Sequence, residues 1–304
     1  MSIERDILAT LSFFGILKQP LTLVEMVRYK HGKKEELYLI KKALESLVRK
    51  GIIFEREGVY ARKMEYIERR IRHDQARNAA WKRITSFLPT LRANPFVKAV
   101  AIANSCAFDS MSTKSDADFF IVTQKNRTWT ARLCAALPAK IKKIRPGETD
   151  VAPLCLSFFV DECGLGMESY VIEDDIYFAH WADSLVWVHD PEHIRFEFIK
   201  ENEWASSLLR RPLNITYLPS VKTASGLIRK TLGMAPSDDI EKYLFEKQMV
   251  RMPQILRDAK NRGGTGVVLE KTVIKTHLED KRVRISQQYE DEISKIQTGD
   301  LAYG

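Results

Sequence analysis

Apolar residues recur along the first fifty positions with the helical period. Over Glu4–Ile16 they share one face at Ile7, Leu8, Leu11 and Phe14, with Leu17 continuing it, and Pro20 ends the run. Thr22 followed by Glu25 has the form of a capping box, opening a second helix to about Tyr29. After the loop "KHGKK", the segment "EELYLIKKALESLVRKG" aligns Leu37, Ile40, Leu44, Leu47 and Val48 and offers Gly51 as a C-cap. The pattern then becomes that of strands: "IIFEREGVYAR" holds two short β-rich runs about a Glu57-Gly58 turn. A long basic helix is predicted from Met64 to Arg92. Trp81, Ile84, Phe87 and Leu88 form its buried stripe, Arg69, Arg70, Arg72 and Arg77 face solvent, and Asn94-Pro95 ends it.

Two nearly continuous apolar runs follow, "FVKAVAIAN" (Phe96–Asn104) and "DADFFIVT" (Asp116–Thr123), as expected of strands covered on both faces. Ser105–Ser115 between them has room for a short helix and a return turn. The helix "TWTARLCAALPAKIKKI" leads to a third strand, "LCLSFFV". A helix, a short apolar run, a His189-Asp190-Pro191 turn and another helix come next, with Trp181, Trp187 and Trp204 expected in the core. Ser237–Ala259 reads as helix, "NRGGTG" as a turn, and "VVLEKTVIKTHLEDKRVRI" as containing a strand.

Charge changes this picture at one end. Residues 1–90 carry 19 Lys and Arg against 11 Asp and Glu, whereas the rest balances at 29 against 29. All of the net charge of +8 therefore sits at the N-terminal end, which points to a polyanion such as DNA or RNA, or to a solvated basic face. No apolar run is long enough to span a membrane, so no membrane partner is expected. Ile7–Leu17 reads as a core helix and not as a secretory signal, because Glu4, Arg5 and Asp6 precede it. The four cysteines form no CxxC pair and have no histidine spacing suggestive of zinc, so reduced thiols in a cytoplasmic protein are expected.

Candidate chemistry centres on "NSCAFDSMSTKSDADFF". Residues two apart on a strand share a face, so Asp116 and Asp118 converge. Two convergent carboxylates repel unless they share a proton or a cation, and oxygen ligands favour Mg²⁺ or Mn²⁺. The Ser105 hydroxyl and the amides behind it suit a phosphate chain.

These residues resemble the polymerase-β-type nucleotidyltransferase superfamily, marked by a Gly-Ser pair and, about ten residues on, an Asp-x-Asp on a strand. Here Asn104-Ser105 is followed after ten residues by Asp116-Ala117-Asp118. The chain also looks like a bacterial group of nucleotidyltransferase-domain proteins that carry an N-terminal winged helix. That likeness runs from the first helix to "VIKTHLEDKR" and is strongest over residues 95–134.

The resemblance implies an α/β (α+β) fold. It would comprise a winged helix-turn-helix over 1–63, a linking helix over 64–94, a mixed-sheet nucleotidyltransferase domain over 95–215, and a mainly helical region over 216–304. It implies Mg-dependent transfer of a nucleoside monophosphate from a triphosphate to a hydroxyl. Asp116 and Asp118 would then be catalytic metal ligands, and Asn104 and Ser105 nucleotide-binding. In a DNA reader, Lys41, Lys42 and Arg49 of the third helix and Arg56 of the wing would meet the nucleic acid.

Two departures bear on activity. Asn104 stands where the superfamily has Gly, although Asn tolerates left-handed geometry. Active members place a third acid on a following strand; here Ser157 occupies the expected place, leaving Asp150 as the candidate. The alternative is therefore a winged-helix DNA-binding protein whose degenerate second domain senses nucleotide or serves as a scaffold. The winged helix also admits docking to another protein.

Overall fold

The computed structural model describes residues 2–72, 74–112, 115–218 and 237–298. Helix α1 (Ile3–Ile16), capped by the Ser2 hydroxyl, buries Ile7, Leu11, Phe13 and Phe14 as the periodicity predicts. A two-residue strand β1 (Leu21–Thr22) precedes α2 (Leu23–Tyr29), and the Thr22–Glu25 capping box is formed in both directions. Helix α3 (Leu37–Arg49) buries Ile40, Leu44 and Leu47, and Gly51 follows it at φ +68°. Strands β2 (Phe54–Arg56) and β3 (Val59–Ala61) flank the Glu57-Gly58 turn. With β1 they make a small antiparallel sheet of order β1-β3-β2. Periodicity could not show β1, because two residues contain no period.

Helices α4 (Met64–Arg72) and α5 (Asp74–Ala93) occupy the span expected of the linking helix. Residue 73 and the side chains of 71, 72 and 74 lie outside the described residues, so the expectation for Arg72 does too. The stripe Ile84, Phe87 and Leu88 is buried, with Trp81 half-buried beside it. Arg70 is not in solvent as the helical wheel suggests. Its guanidinium takes Glu25 in two bonds and Asp109 in a third, and Arg77 also reaches Asp109. The acids that draw it inward come from other elements, which the helix's own period does not register.

The main sheet has the order β8-β7-β4-β5-β6-β10-β9 and mixes parallel and antiparallel pairs, giving an α+β architecture. Its centre is built by β4 (Val97–Ala103), α6 (Asn104–Ala107), β5 (Ala117–Thr123), α7 (Thr128–Ile141) and β6 (Leu154–Asp161). Next come α8 (Ile176–Ser184), β7 (Val186–His189), α9 (Ile194–Glu201), α10 (Glu203–Leu209) and β8 (Thr216–Tyr217). The last described stretch holds α11 (Asp238–Arg251), α12 (Gln254–Asn261), β9 (Val267–Leu269), β10 (Val273–Thr276) and α13 (Arg282–Thr298). Both faces of the central strands are covered, as expected. Val100, Ile102, Phe119 and Ile121 pack with the stripe of α5, while Ala101, Phe120 and Val122 pack with α8 and Trp181. Trp181 and Trp187 are buried against Phe120 and Phe198.

The described C-terminal stretch is mainly helical, but its elements differ from those expected. The predicted helix over Ser237–Ala259 is two helices. Met252 is extended (ψ 141°) before Pro253, whose ring disfavours helical geometry in the residue ahead of it. The one expected strand is a hairpin, β9–β10, and β10 joins the main sheet antiparallel to β6. Glu241 of α11 also supplies what α7 lacks, a side-chain N-cap. Its carboxylate accepts from the amides of Trp129 and Thr130 and from the Thr130 hydroxyl.

The N-terminal elements are seated on the rest of the chain through polar contacts inside an apolar interface. His31 Nε2 lies 2.7 Å from His180 Nε2 on α8, and His31 Nδ1 lies 3.0 Å from the Tyr289 hydroxyl on α13. Phe13 of α1 stacks on His180 at 3.9 Å. Burial, reinforced for His31 by the charge of Arg211, pushes its pKa down to about 3, and burial drives His180 down as well.

Candidate functional site

β4 ends at Ala103, and the chain turns at Asn104 with φ +53°, a left-handed geometry that asparagine accepts far better than branched residues do. Because Ala103 pairs with Asp118 on β5, this turn stands directly beside the second aspartate. Asp116 sits just before β5, and its charge acts on Asp118. Burial pushes the Asp118 carboxyl up to about 6, with Asp116 adding to the rise and hydrogen bonding from Asn104 and Cys155 opposing it. Asp116 is raised by burial as well.

The residue across β6 from Asp118 is Cys155, and Ser157 lies beyond it. An extra β6 residue is accommodated between the pairs Asp118–Cys155 and Phe120–Phe158, so Cys155 stands opposite Asp118 and Ser157 lies two residues further along β6. Burial, followed by the charge of Asp118, pushes the Cys155 thiol well up, which keeps it protonated. Asp150 is exposed in the loop ahead of β6, and its charge is not among the influences on Asp116 or Asp118.

Asn104, Ser105 and Asp118 form one wall of a cleft of about 330 Å³; Asp116 does not line it. Phe158, Tyr177 and Trp181 give the cleft an aromatic floor. The stretch "KTHLEDKR", for which no role could be read from sequence, supplies Lys275, His277, Glu279, Asp280, Lys281 and Arg282 to the rest of the lining. Lys275 of β10 pairs with Phe158 of β6 and is almost wholly buried. Its ammonium donates to the Thr265 carbonyl at 2.7 Å and lies 5.8 and 5.2 Å from the ring centroids of Phe158 and Phe178. Burial, then the charge of Arg282, lowers its pKa to about 8. His277 is pushed down to about 4 by burial and by Lys275.

Arg282 anchors this wall. Its guanidinium holds Asp175 at 2.7 Å and Asp280 at 2.6 Å, and it donates to the Tyr170 carbonyl. Gly266 allows the close return of the chain, because a Cβ there would meet the His277 carbonyl oxygen at 2.7 Å. The sequence signal for this wall is faint: Lys275 follows the two apolar residues Val273 and Ile274 of a four-residue strand.

Lys41, Lys42, Arg49 and Arg56 are exposed on α3 and β2, and none lines the cleft. Lys41 lies 3.9 Å from Glu45, and Arg56 lies 3.8 Å from Glu57. Among the described residues no group of three or more His, Cys, Asp or Glu side chains is arranged for a metal, and no helix is long and apolar enough to cross a membrane. Comparison of the chain with protein-family models, curated proteins and solved structures gives no match.

Proposed function

We propose that the cleft binds a nucleoside triphosphate with Mg²⁺ or Mn²⁺ and transfers its nucleoside monophosphate to an acceptor hydroxyl, on a nucleotidyltransferase-type fold. The observation that carries this reading is the Asn104-Ser105 turn standing strand-to-strand beside Asp118. Asp116 and Asp118 fit such an ion: they are two neighbouring carboxylates raised by burial, and hard oxygen ligands suit it. The metal, when bound, would neutralise charge on the phosphates. Asn104 and Ser105 donate to phosphate oxygens, and the aromatic floor offers a surface for a base. Asp118, titrating near 6, is mostly ionised at pH 7.5 and free to serve as a ligand.

Cys155 favours a second reading, nucleotide binding without transfer. A protonated thiol beside Asp118 supplies neither a ligand for a hard ion nor a base. The three N-terminal helices and the β1-β3-β2 ribbon support a winged helix over 1–63. Through Lys41, Lys42, Arg49 and Arg56 we assign it contact with DNA or RNA phosphates. The test is pyrophosphate release from each of the four NTPs with Mg²⁺ and candidate acceptors. Release abolished by Asp118→Asn supports transfer; NTP binding with no release supports the second reading; neither binding nor release refutes both.

A further inference from the structure

The cleft is lined by Asp118 of β5 and by Lys275 of β10, and among the described residues neither makes a direct ion pair. On one side, Asp118 is hydrogen-bonded by the Asn104 and Cys155 side chains and feels the like charge of Asp116. On the other, the almost wholly buried Lys275 ammonium has one carbonyl and two aromatic faces as partners. Among the described residues no carboxylate reaches it within ion-pair distance, and Asp280 and Asp175, which act on it from further away, offset its burial and the charge of Arg282 only in part. The neighbouring Arg282 differs, since it pairs directly with both Asp175 and Asp280. A buried charge without a direct ion-pair partner is costly, and an anionic ligand in the cleft would offset that cost.

Lys275 and Asp118 lie on the same side of the sheet. β10 is two strands from β5, roughly 9–10 Å across, and Lys275 stands level with Phe120, one pleat along from Asp118. A polyphosphate chain with its cation fits that separation, meeting the carboxylate through the metal and the ammonium through oxygen. We infer that Lys275, brought by the C-terminal hairpin, is the anchor for the phosphate chain of the nucleotide, with Arg282 positioning the wall that presents it. The inference rests on reading the cleft as a nucleotide site. It assigns the β9–β10 hairpin a direct part in that site, and Gly266 the task of letting the hairpin close against the segment behind it.

The experiment is calorimetric titration of wild type, Lys275→Met and Asp118→Asn with Mg²⁺ and each of ATP, GTP, CTP, UTP and inorganic tripolyphosphate, together with the four nucleosides. Methionine keeps the length of the side chain and its contacts with Phe158 and Phe178. Lys275→Gln replaces it should the first variant not fold, as judged by melting without ligand. The expected result is a tenfold to hundredfold (roughly) loss of affinity for the triphosphate and for tripolyphosphate in Lys275→Met, with nucleoside affinity unchanged. Wild-type affinity for the triphosphate in Lys275→Met, alongside a loss in Asp118→Asn, overturns the role of Lys275 and leaves the cleft as a nucleotide site. Failure of wild type to bind any triphosphate or tripolyphosphate overturns the reading of the cleft and the inference with it.

Discussion

Acidification should loosen the seat of the N-terminal elements, and the amount can be worked from the histidine pair. His31 and His180 face each other at 2.7 Å inside an interface closed by Phe13 and Tyr289, and both are held neutral by burial. In the unfolded chain each imidazole titrates near 6.5. Below that value the unfolded state binds protons that the folded state refuses until about pH 3 at His31, so stability falls as pH falls through 6.5. Between pH 7.5 and pH 5.5 the linkage amounts to about 1.4 kcal/mol for each histidine kept neutral, and about 2.7 kcal/mol for the pair. Raised carboxylates such as Asp118 and Asp175 act in the opposite sense, because their protonation is easier in the folded state. The measurement is therefore a difference: urea unfolding of wild type and of His31→Gln/His180→Gln at both pH values. The wild-type advantage over the double variant should shrink by about 2.7 kcal/mol on acidification. An advantage that does not change with pH would refute the claim that the folded protein holds these imidazoles neutral.

Other consequences follow from single side chains. Arg282→Met leaves Asp175, whose side chain is wholly buried, without its cation; urea unfolding at pH 7.5 should show a loss of about 3–5 kcal/mol, partly recovered by adding Asp175→Asn. Glu241→Ala strips the amides of Trp129 and Thr130 of their acceptor and should cost about 1–3 kcal/mol in the same assay. If the N-terminal elements contact DNA, duplex affinity followed by fluorescence anisotropy should fall steeply with salt and drop further in Arg49→Glu/Arg56→Glu. Binding that ignores both salt and these charges would exclude phosphate contact through this face.

The first half of the fold was legible where sequence carries a local signal. The capping box at Thr22, the glycine after α3, the turn at Glu57-Gly58 and the apolar runs of β4, β5 and β6 each announce their element within a few residues. What was not legible depends on partners distant in sequence. Arg70 looks solvent-facing on its helix and is drawn in by Glu25 and Asp109. Strands of two to four residues, such as β1, β9 and β10, are too short to show a period and exist because a neighbouring strand pairs with them.

The candidate site divides in the same way. Asn104, Ser105 and Asp118 could be placed together because one strand–turn–strand unit carries them, and the structure lines one wall with all three. The opposite wall comes from more than 150 residues further along the chain, so Lys275 and Arg282 emerged only once β10 was seen beside β6. The neighbour of Asp118 on β6 could not be fixed from sequence either. A one-residue bulge decides whether Cys155 or Leu156 takes that place.

The central claim, that Asp116 and Asp118 hold a metal–triphosphate beside the Asn104-Ser105 turn, is tested most directly by thermal melting with each of the four NTPs. Melts are run with and without Mg²⁺, on wild type and on Asp116→Asn/Asp118→Asn. A ligand present at a hundred times its Kd stabilises by about 2.7 kcal/mol, which shifts the melting temperature by several degrees. The account predicts a Mg²⁺-dependent upward shift with at least one nucleotide in wild type and none in the double variant. A shift of equal size in both proteins, or none with any nucleotide, would contradict it.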